Sequence, residues 1–460
     1  MERVLTMDPD ELFEKSAEGE QVPVEQREQG SGAPRLRVPV RDQAVMRMLS
    51  LDQLLPDDHE ARTVWEFVCQ ADLNALRQEV RAVERGPGRD ATDPRIPLAV
   101  WLYATARGVG SARELGRLCG AEGAIPYQWL CGEVSLNYHL LSDFRVKHGT
   151  MLDQLLTEQL ATLMHTGALT IHRVAQDGVR VRASAGASSF RRRETLEECL
   201  VEAQAQVEAL KAEGQSDPGA STRRQKAART RAAEERRKRV TAALEALDEV
   251  QAKKEKRGRD SLKHPPRAST TDADARKMKM ADGGFRPAYN VQFATDTASQ
   301  VIVGVDVVQE GSDAGQLGPM QEQIEERTGH RPDEHLGDGG FSSLEEIDNL
   351  NRPEEGRTVY LPIKDEEKKQ AQGQDPFVAR PTDTPHVAEW RTRMGTAEAK
   401  QIYKERASTA ECVNAQARNR GMQQFRVRGL AKIRVMALWY AIAHNLRRMV
   451  ALRAHVGARS

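Results

Sequence analysis

Residues 168–185 read ALTIHRVAQDGVRVRASA, and residues 288–309 read AYNVQFATDTASQVIVGVDVVQ. In the first stretch Ile171, Arg173, Ala175 and Asp177 fall on every second position and share one face, with Val174 on the other, so the spacing predicts a strand. In the second, Tyr289, Val291 and Phe293 alternate with Asn290 and Gln292, Thr297-Ala298-Ser299 turns the chain, and a more apolar run follows. That pattern is a hairpin, and its apolar second strand, QVIVGVDVVQ, is expected at the centre of a sheet.

Toward the C-terminus the pattern alternates. GQLGPMQEQIEERTG (315–329) places Leu317, Met320 and Ile324 on one helical face and stops at Gly329. HLGDGGF (335–341) is a short strand running into a glycine-rich turn, SSLEEIDNL (342–350) a helix capped by serine, and TVYLPIK (358–364) another strand. Residues 365–395 are polar and contain proline, and read as a loop or insertion. From about Tyr403 to Arg453 the chain is helical, with Ile433, Ala437 and Tyr440 in an apolar stripe. Strands interleaved with helices in this order suit a mixed α/β sheet. A doubly wound nucleotide-binding domain is the rival, but no Gly-x-x-x-x-Gly-Lys-Ser/Thr occurs and Gly337-Asp338-Gly339-Gly340 does not match the dinucleotide fingerprint.

Between the first strand and the hairpin lies an interruption. Leu196, Leu200, Ala203, Val207 and Leu210 are spaced as a coiled-coil seam, Asp217-Pro218-Gly219 breaks that helix, and a basic helix with Val240, Leu244 and Leu247 follows. Residues 190–256 therefore read as a basic helical hairpin arm, which either closes on itself or helps join two copies. Toward the N-terminus, residues 46–167 are helical throughout, as in DPRIPLAVWLYATARG (93–108) and in SARELGRLCG (111–120), where Ser111 and Glu114 form a capping box. Short helices separated by glycine suit a helix-turn-helix-like DNA-binding domain as well as a plain bundle. Residues 1–45 are polar and acidic and expected to be flexible. The expected organisation is that segment, the all-α domain (46–167), a catalytic α/β domain (168–453) interrupted by the arm, and a tail (454–460).

Composition narrows the function. The 460 residues carry 68 Lys+Arg and 68 Asp+Glu, a formal net charge of zero. That balance hides blocks of one sign: 14 acids and 7 bases in residues 1–60, 9 bases and 2 acids in Thr222–Arg239, 7 bases and 2 acids in Lys253–Arg267, and 10 bases without an acid in residues 412–460. Basic blocks suit a polyanion such as DNA. No run of about 18 apolar residues exists, so no membrane span is expected. The acidic N-terminus does not read as a secretory signal. Five scattered cysteines (Cys69, Cys119, Cys131, Cys199, Cys412) form no metal-binding pattern. A reducing cytoplasmic location, with the nucleoid, is expected.

Three acids stand where this topology can bring them together: Asp177 on the first strand, Asp338 at the end of a later strand among glycines, and Glu411 on the helix after the last strand. Carboxylate oxygens are the hard ligands that Mg²⁺ or Mn²⁺ prefers, and three acids can hold two such ions for in-line attack at phosphorus. Taken singly, an Asp before Gly is more often a turn residue, and a helical Glu more often a surface charge.

As a set, RVAQDGVRVRASAGASSFRRRETLEE (173–198), MKMADGGFRPAYNVQFATDT (278–297), HLGDGGFSS (335–343), YKERASTAECVNAQARNRG (403–421) and IRVMALWYAIAHNL (433–446) resemble bacterial insertion-sequence transposases of the DDE class. SARELGRLCG and NYHLLSDFRVKHG (137–149) resemble the N-terminal region of those proteins, so the resemblance spans about residues 45–455. It implies an RNase H-like (retroviral-integrase) catalytic fold and two Mg²⁺ or Mn²⁺ ions held by Asp177, Asp338 and Glu411. It also implies cleavage at element ends with strand transfer into target DNA. The partners implied are terminal inverted repeats and target DNA, bound by a homodimer. Many relatives carry Tyr-x2-Arg-x3-Glu-x6-Lys around the third acid. Here Tyr403-x2-Arg406-x4-Glu411-x6-Arg418 has one extra residue before the glutamate and Arg for Lys, which leaves Glu405 as an alternative third acid. Glu411 and Arg418 are seven apart and share a helical face, so Arg418 is a candidate phosphate contact. Arg180, Arg182, Lys279, Tyr403 and Arg406 are the other candidate DNA contacts. A nuclease without strand transfer and a non-catalytic DNA-binding relic are the competing readings.

Overall fold

A computed structural model describes residues 48–80, 82, 90–120, 123–216, 223–256 and 265–457. The acidic segment 1–45 lies outside these residues. Leu49–Ser460 forms a single compact unit.

Among the described residues, seven α-helices come first: α1 (Glu60–Gln70), α2 (Asn74–Gln78), α3 (Arg95–Ala106), α4 (Ala112–Leu118), α5 (Ile125–Cys131), α6 (Tyr138–Lys147) and α7 (Gly149–His165). The expected cap is present, with the Ser111 hydroxyl accepting the Glu114 amide at 3.4 Å. The sheet strands are β1 (Arg173–Arg182), β4 (Arg276–Lys279), β5 (Phe285–Asp296), β6 (Ile302–Val308), β7 (Glu334–Leu336) and β8 (Thr358–Tyr360), while β2 (Phe190–Arg191) and β3 (Ala268–Ser269) form a separate ribbon at the root of the arm. The arm is α8 (Arg193–Ser216) and α9 (Arg223–Lys256). The remaining helices are α10 (Leu317–Thr328), α11 (Leu344–Leu350), α12 (Glu366–Ala371), α13 (Pro385–Met394), α14 (Ala397–Arg406), α15 (Cys412–Asn419) and α16 (Leu430–Gly457).

The sheet runs β4-β5-β1-β7-β8, with β6 also on β5. The β1/β5 and β5/β6 pairs are antiparallel, and the β1/β7 and β7/β8 pairs parallel. This mixed α/β arrangement is compatible with an RNase H-like fold. Helix α16 packs on β6 and on α3, α6 and α7, joining the helical layer to the sheet through one apolar core. Trp101 and Trp439 are fully buried there, and their indole nitrogens donate to Leu141 O and Arg145 O, both at 2.9 Å. Each such side chain contributes roughly 1.5–3 kcal/mol through burial.

Three expectations are corrected. The strand expected at the centre of the sheet, β6, pairs only with β5 and lies at an edge. It is apolar because α10 and α16 cover it, and their amides satisfy its free backbone: Asn445 brackets Ile302 with two bonds of 2.8 Å, and Gln323 brackets Val305 at 2.8 and 3.1 Å. The polar stretch 365–395 is not a loop throughout but holds α12 and α13. Thr384 caps α13 with Pro385 in its first turn, and Val387, Trp390 and Met394 bury one face. Residues 454–457 continue α16 rather than forming a tail. In the arm, the seam residues Leu196, Ala203 and Val207 are buried, as are Val240 and Leu247 on the facing helix, so the hairpin closes on itself.

Candidate active site

β1 crosses the middle of the sheet because Val174, Val179 and Val181 are β-branched and buried between its neighbours. Asp177 sits midway along it, half-buried, opposite Phe293 of β5. Its Oδ1 accepts the Gly178 amide at 2.9 Å and its Oδ2 accepts Asn414 Nδ2 at 2.9 Å. β7 runs parallel to β1 and delivers Asp338 just past its end, where Asp338 Oδ1 accepts the Gly340 amide at 2.8 Å in a tight turn. Burial pushes the Asp177 carboxyl up to about 6; the Asp338 charge adds to this, the Arg406 guanidinium and the Gly178 amide oppose it, and Asp313 raises it a little further. The two aspartates therefore lie within Coulomb range of each other.

The third acid is bonded to Arg406. Helix α14 passes into α15 through a π-helical turn, Ala407–Glu411. A π-turn absorbs one extra residue, so positions five apart stack as positions four apart do in an α-helix. Arg406 Nη2 accordingly donates to Glu411 Oε1 at 2.7 Å across five positions. This turn accommodates the residue by which the sequence departs from the spacing Tyr-x2-Arg-x3-Glu. Burial works against the charge on Arg406, but Tyr403, Asp177, Glu411 and Asp338 together hold its pKa above the ordinary value. Arg406 thus pairs directly with Glu411 and feels the charges of Asp177 and Asp338, with its guanidinium over the Tyr403 ring at 5.8 Å. Glu411 is exposed.

Glu405 goes elsewhere. It accepts Arg173 Nη1 at 2.6 Å at the start of β1, where Arg173 also binds Glu334. Arg180 turns inward, donating to Gly311 O at 2.8 Å and lying 3.5 Å from Asp313 Oδ2. Arg182 and Lys279 are exposed on β1 and β4, two strands apart in the sheet, and Arg418 is exposed near the end of α15.

Two residues were missed from sequence. Asp313 is buried and accepts Asn290 Nδ2 at 2.7 Å and Gln292 Nε2 at 2.6 Å, and a Cβ on Gly340 would lie 3.2 Å from its Oδ2. It therefore stands beside the neighbours of both aspartates. The polar alternation Asn290, Gln292 inside a buried strand was the signal, since buried amides demand a partner. Asn414 orients Asp177, and its own Oδ1 is buried with no hydrogen-bond partner.

The fit to a divalent cation is a mixed one in detail but sound in donor chemistry. A carboxyl whose ionisation burial opposes, at Asp177, and the unpartnered amide oxygen of Asn414 beside it, are what a hard cation relieves. Among the described residues, no three acids are gathered closely enough to hold a metal. Arg406 stands among the carboxylates instead. No helix of the described residues is long and apolar enough to cross a membrane.

A family model described as Transposase DDE domain matches residues 366–450, which span α12 to most of α16 and include Tyr403, Arg406, Glu411, Asn414 and Arg418. No curated protein and no solved structure matches the chain.

Proposed function

From a chain whose residues 366–450 match the transposase DDE domain, we propose a metal-dependent transposase that cleaves DNA at the ends of its element and joins the freed 3′ ends to target DNA. The observation that carries this reading is the parallel pairing of β1 with β7, Ala175 opposite Leu336, which brings Asp177 and Asp338, 161 positions apart, onto neighbouring strands, with Arg406, bonded to Glu411, within electrostatic reach of both.

Asp177, Asp338 and Glu411 would hold two Mg²⁺ or Mn²⁺ ions. Metal ions bound there would supply activation of a water or 3′-hydroxyl and stabilisation of the leaving oxygen at phosphorus. The residues of the chain supply the rest. The Gly178 amide and Asn414 each hold one oxygen of Asp177, fixing its rotamer, and the Gly340 amide holds one oxygen of Asp338, so that the remaining lone pairs would be the ones available for ligation. Arg406 would offset the negative charge of Asp177, Asp338 and Glu411 before the cations arrive. Arg182, Lys279 and Arg418, exposed, are free to meet DNA phosphates, with the helical layer and the arm binding the terminal repeats. A homodimer would hold two ends at once.

The test is purified protein with duplexes carrying the DNA that flanks its reading frame. Mg²⁺-dependent nicking at the end of an inverted repeat, followed by joined products, supports the reading. Nicking without joining identifies a nuclease, and binding without either identifies a DNA-binding relic.

A further inference from the structure

A second cleft opens between the helical layer and the segment that follows α15. Its floor is apolar, made by Trp101, Phe425 and Tyr440, and its charged lining is Arg145, Arg420 and Arg426, with no carboxylate. Arg145 is the unusual member. It is 6% exposed, its guanidinium lies over the Trp101 ring at 5.0 Å, and its Nη1 donates to Gly110 O at 2.6 Å. Its Nε is buried without a partner, and no acid pairs with it among the described residues. Burial and the neighbouring Arg426 both press its pKa downward. Arg420 spends one nitrogen on Gln416 Oε1 at 3.0 Å, and Arg426, exposed at the mouth, makes no hydrogen bond or ion pair among the described residues. Arg145 and Arg426 also face an adjoining pocket whose wall includes Asp272 and Asp274, but no acid pairs with either among the described residues, and three arginines in the wall of one cleft favour an anion there.

The position of the cleft says which anion. The loop that carries Phe425 and Arg426 is stitched to the end of β1: Arg182 N donates to Gln423 O at 3.1 Å, and Phe425 N donates to Arg182 O at 2.9 Å. Arg182 lies five residues beyond Asp177 on one strand, about 17 Å at the usual rise. A duplex advances that far in about five base steps. We propose that this cleft binds a backbone phosphodiester of the DNA, about five base steps from the phosphate held at Asp177 and Asp338. The proposal rests on the reading of those acids as a DNA-cleaving site. The guanidinium forks suit a tetrahedral oxyanion, and the open mouth at Arg426 suits a polymer that passes by.

The experiment is fluorescence anisotropy on a 40-base-pair duplex of the flanking DNA, from about 50 to 300 mM salt, with the full-length protein. Arg426→Gln, and Arg420→Gln with Arg426→Gln, are compared with wild type. Arg331→Gln controls for simple loss of charge, because Arg331 pairs with Glu325 at the end of α10. The slope of log Kd against log salt is expected to become shallower by about 0.9 for the single variant and about twice that for the double, with the control unchanged. A single methylphosphonate linkage, moved along the duplex, should weaken wild type at one position and leave Arg426→Gln indifferent there. Unchanged slopes in the variants, or an equal change in Arg331→Gln, overturn the proposal. Titration with inorganic phosphate separates a free-anion site: phosphate binding lost in the variants while DNA binding persists unaltered also overturns it. Failure of the catalytic reading looks different. Wild type would then leave the duplex uncut in Mg²⁺ while the methylphosphonate pattern at Arg426 persists.

Discussion

Replacing Asp177 by Asn should make the protein more stable while removing its cleavage activity. Burial and the charge of Asp338 push the Asp177 carboxyl from 3.8 to about 6 in the folded protein. A carboxyl whose folded pKa is raised favours the protonated native state. Its contribution is full below about pH 3.8 and is lost as the pH rises through about 6. At pH 7.5 the ionised group therefore costs roughly 3 kcal/mol, at 1.36 kcal/mol per unit. Asn removes that cost but can accept from only one of the two donors, Gly178 N and Asn414 Nδ2, which returns about 1 kcal/mol. The net gain is roughly 1–2 kcal/mol, or about 1–2.5 °C in Tm for a unit this large. Thermal melts from pH 4 to pH 8 should show the variant level with wild type at the acid end and above it at the alkaline end. Mg²⁺ should raise wild type toward the variant and leave the variant unmoved. A variant no more stable at pH 7.5, or a gap of equal size at every pH, would refute the electrostatic account of the site.

Other perturbations bear on separate parts of the arrangement. Deleting Ser408, exposed in the π-turn, shortens the spacing to Arg406-x3-Glu and should leave a regular helix with its ion pair. Cleavage should then stay within about tenfold of wild type, whereas inserting a residue there should cost about a hundredfold or more; a reversed order would show that the turn does not absorb the extra residue. Arg406→Gln should reduce single-turnover cleavage by about 10²–10³-fold. In the metal-free protein it should also drive the Asp177 pKa above its present position, read by carboxyl NMR, because the guanidinium now lowers it. Gly178→Ala should cost about 1–3 kcal/mol in urea melts, because its Cβ would fall 2.5 Å from Gln292 Nε2 and 2.6 Å from Asn290 Oδ1.

What was legible in the sequence is local and periodic. The alternation of Tyr289, Val291 and Phe293, and the period change after Gly167, announce strands because a pleated backbone sorts side chains by parity. The helical stripe Ile433, Ala437, Tyr440 is legible in the same way. Whether an apolar strand is central or merely covered is not local. QVIVGVDVVQ sits at an edge whose open hydrogen bonds go to Asn445 and Gln323, residues 143 and 18 positions away. The polar composition of 365–395 hid α13, whose three buried apolar residues, Val387, Trp390 and Met394, carry its packing. At the site, Asp177 and Asp338 could be singled out by their settings. Asp313 and Asn414 could not, since their roles arise from partners on other elements. The extra residue before Glu411 was visible as a departure, but only the π-turn shows how a backbone resolves it.

The proposed holding of divalent cations by Asp177, Asp338 and Glu411 is tested most directly by a Mn²⁺ titration followed by electron paramagnetic resonance, in the presence of the flanking duplex. Wild type should bind Mn²⁺, and Asp177→Asn, Asp338→Asn and Glu411→Gln should each lose most of that binding. Glu411→Gln binding Mn²⁺ as wild type does would contradict the proposal and remove Glu411 from the site.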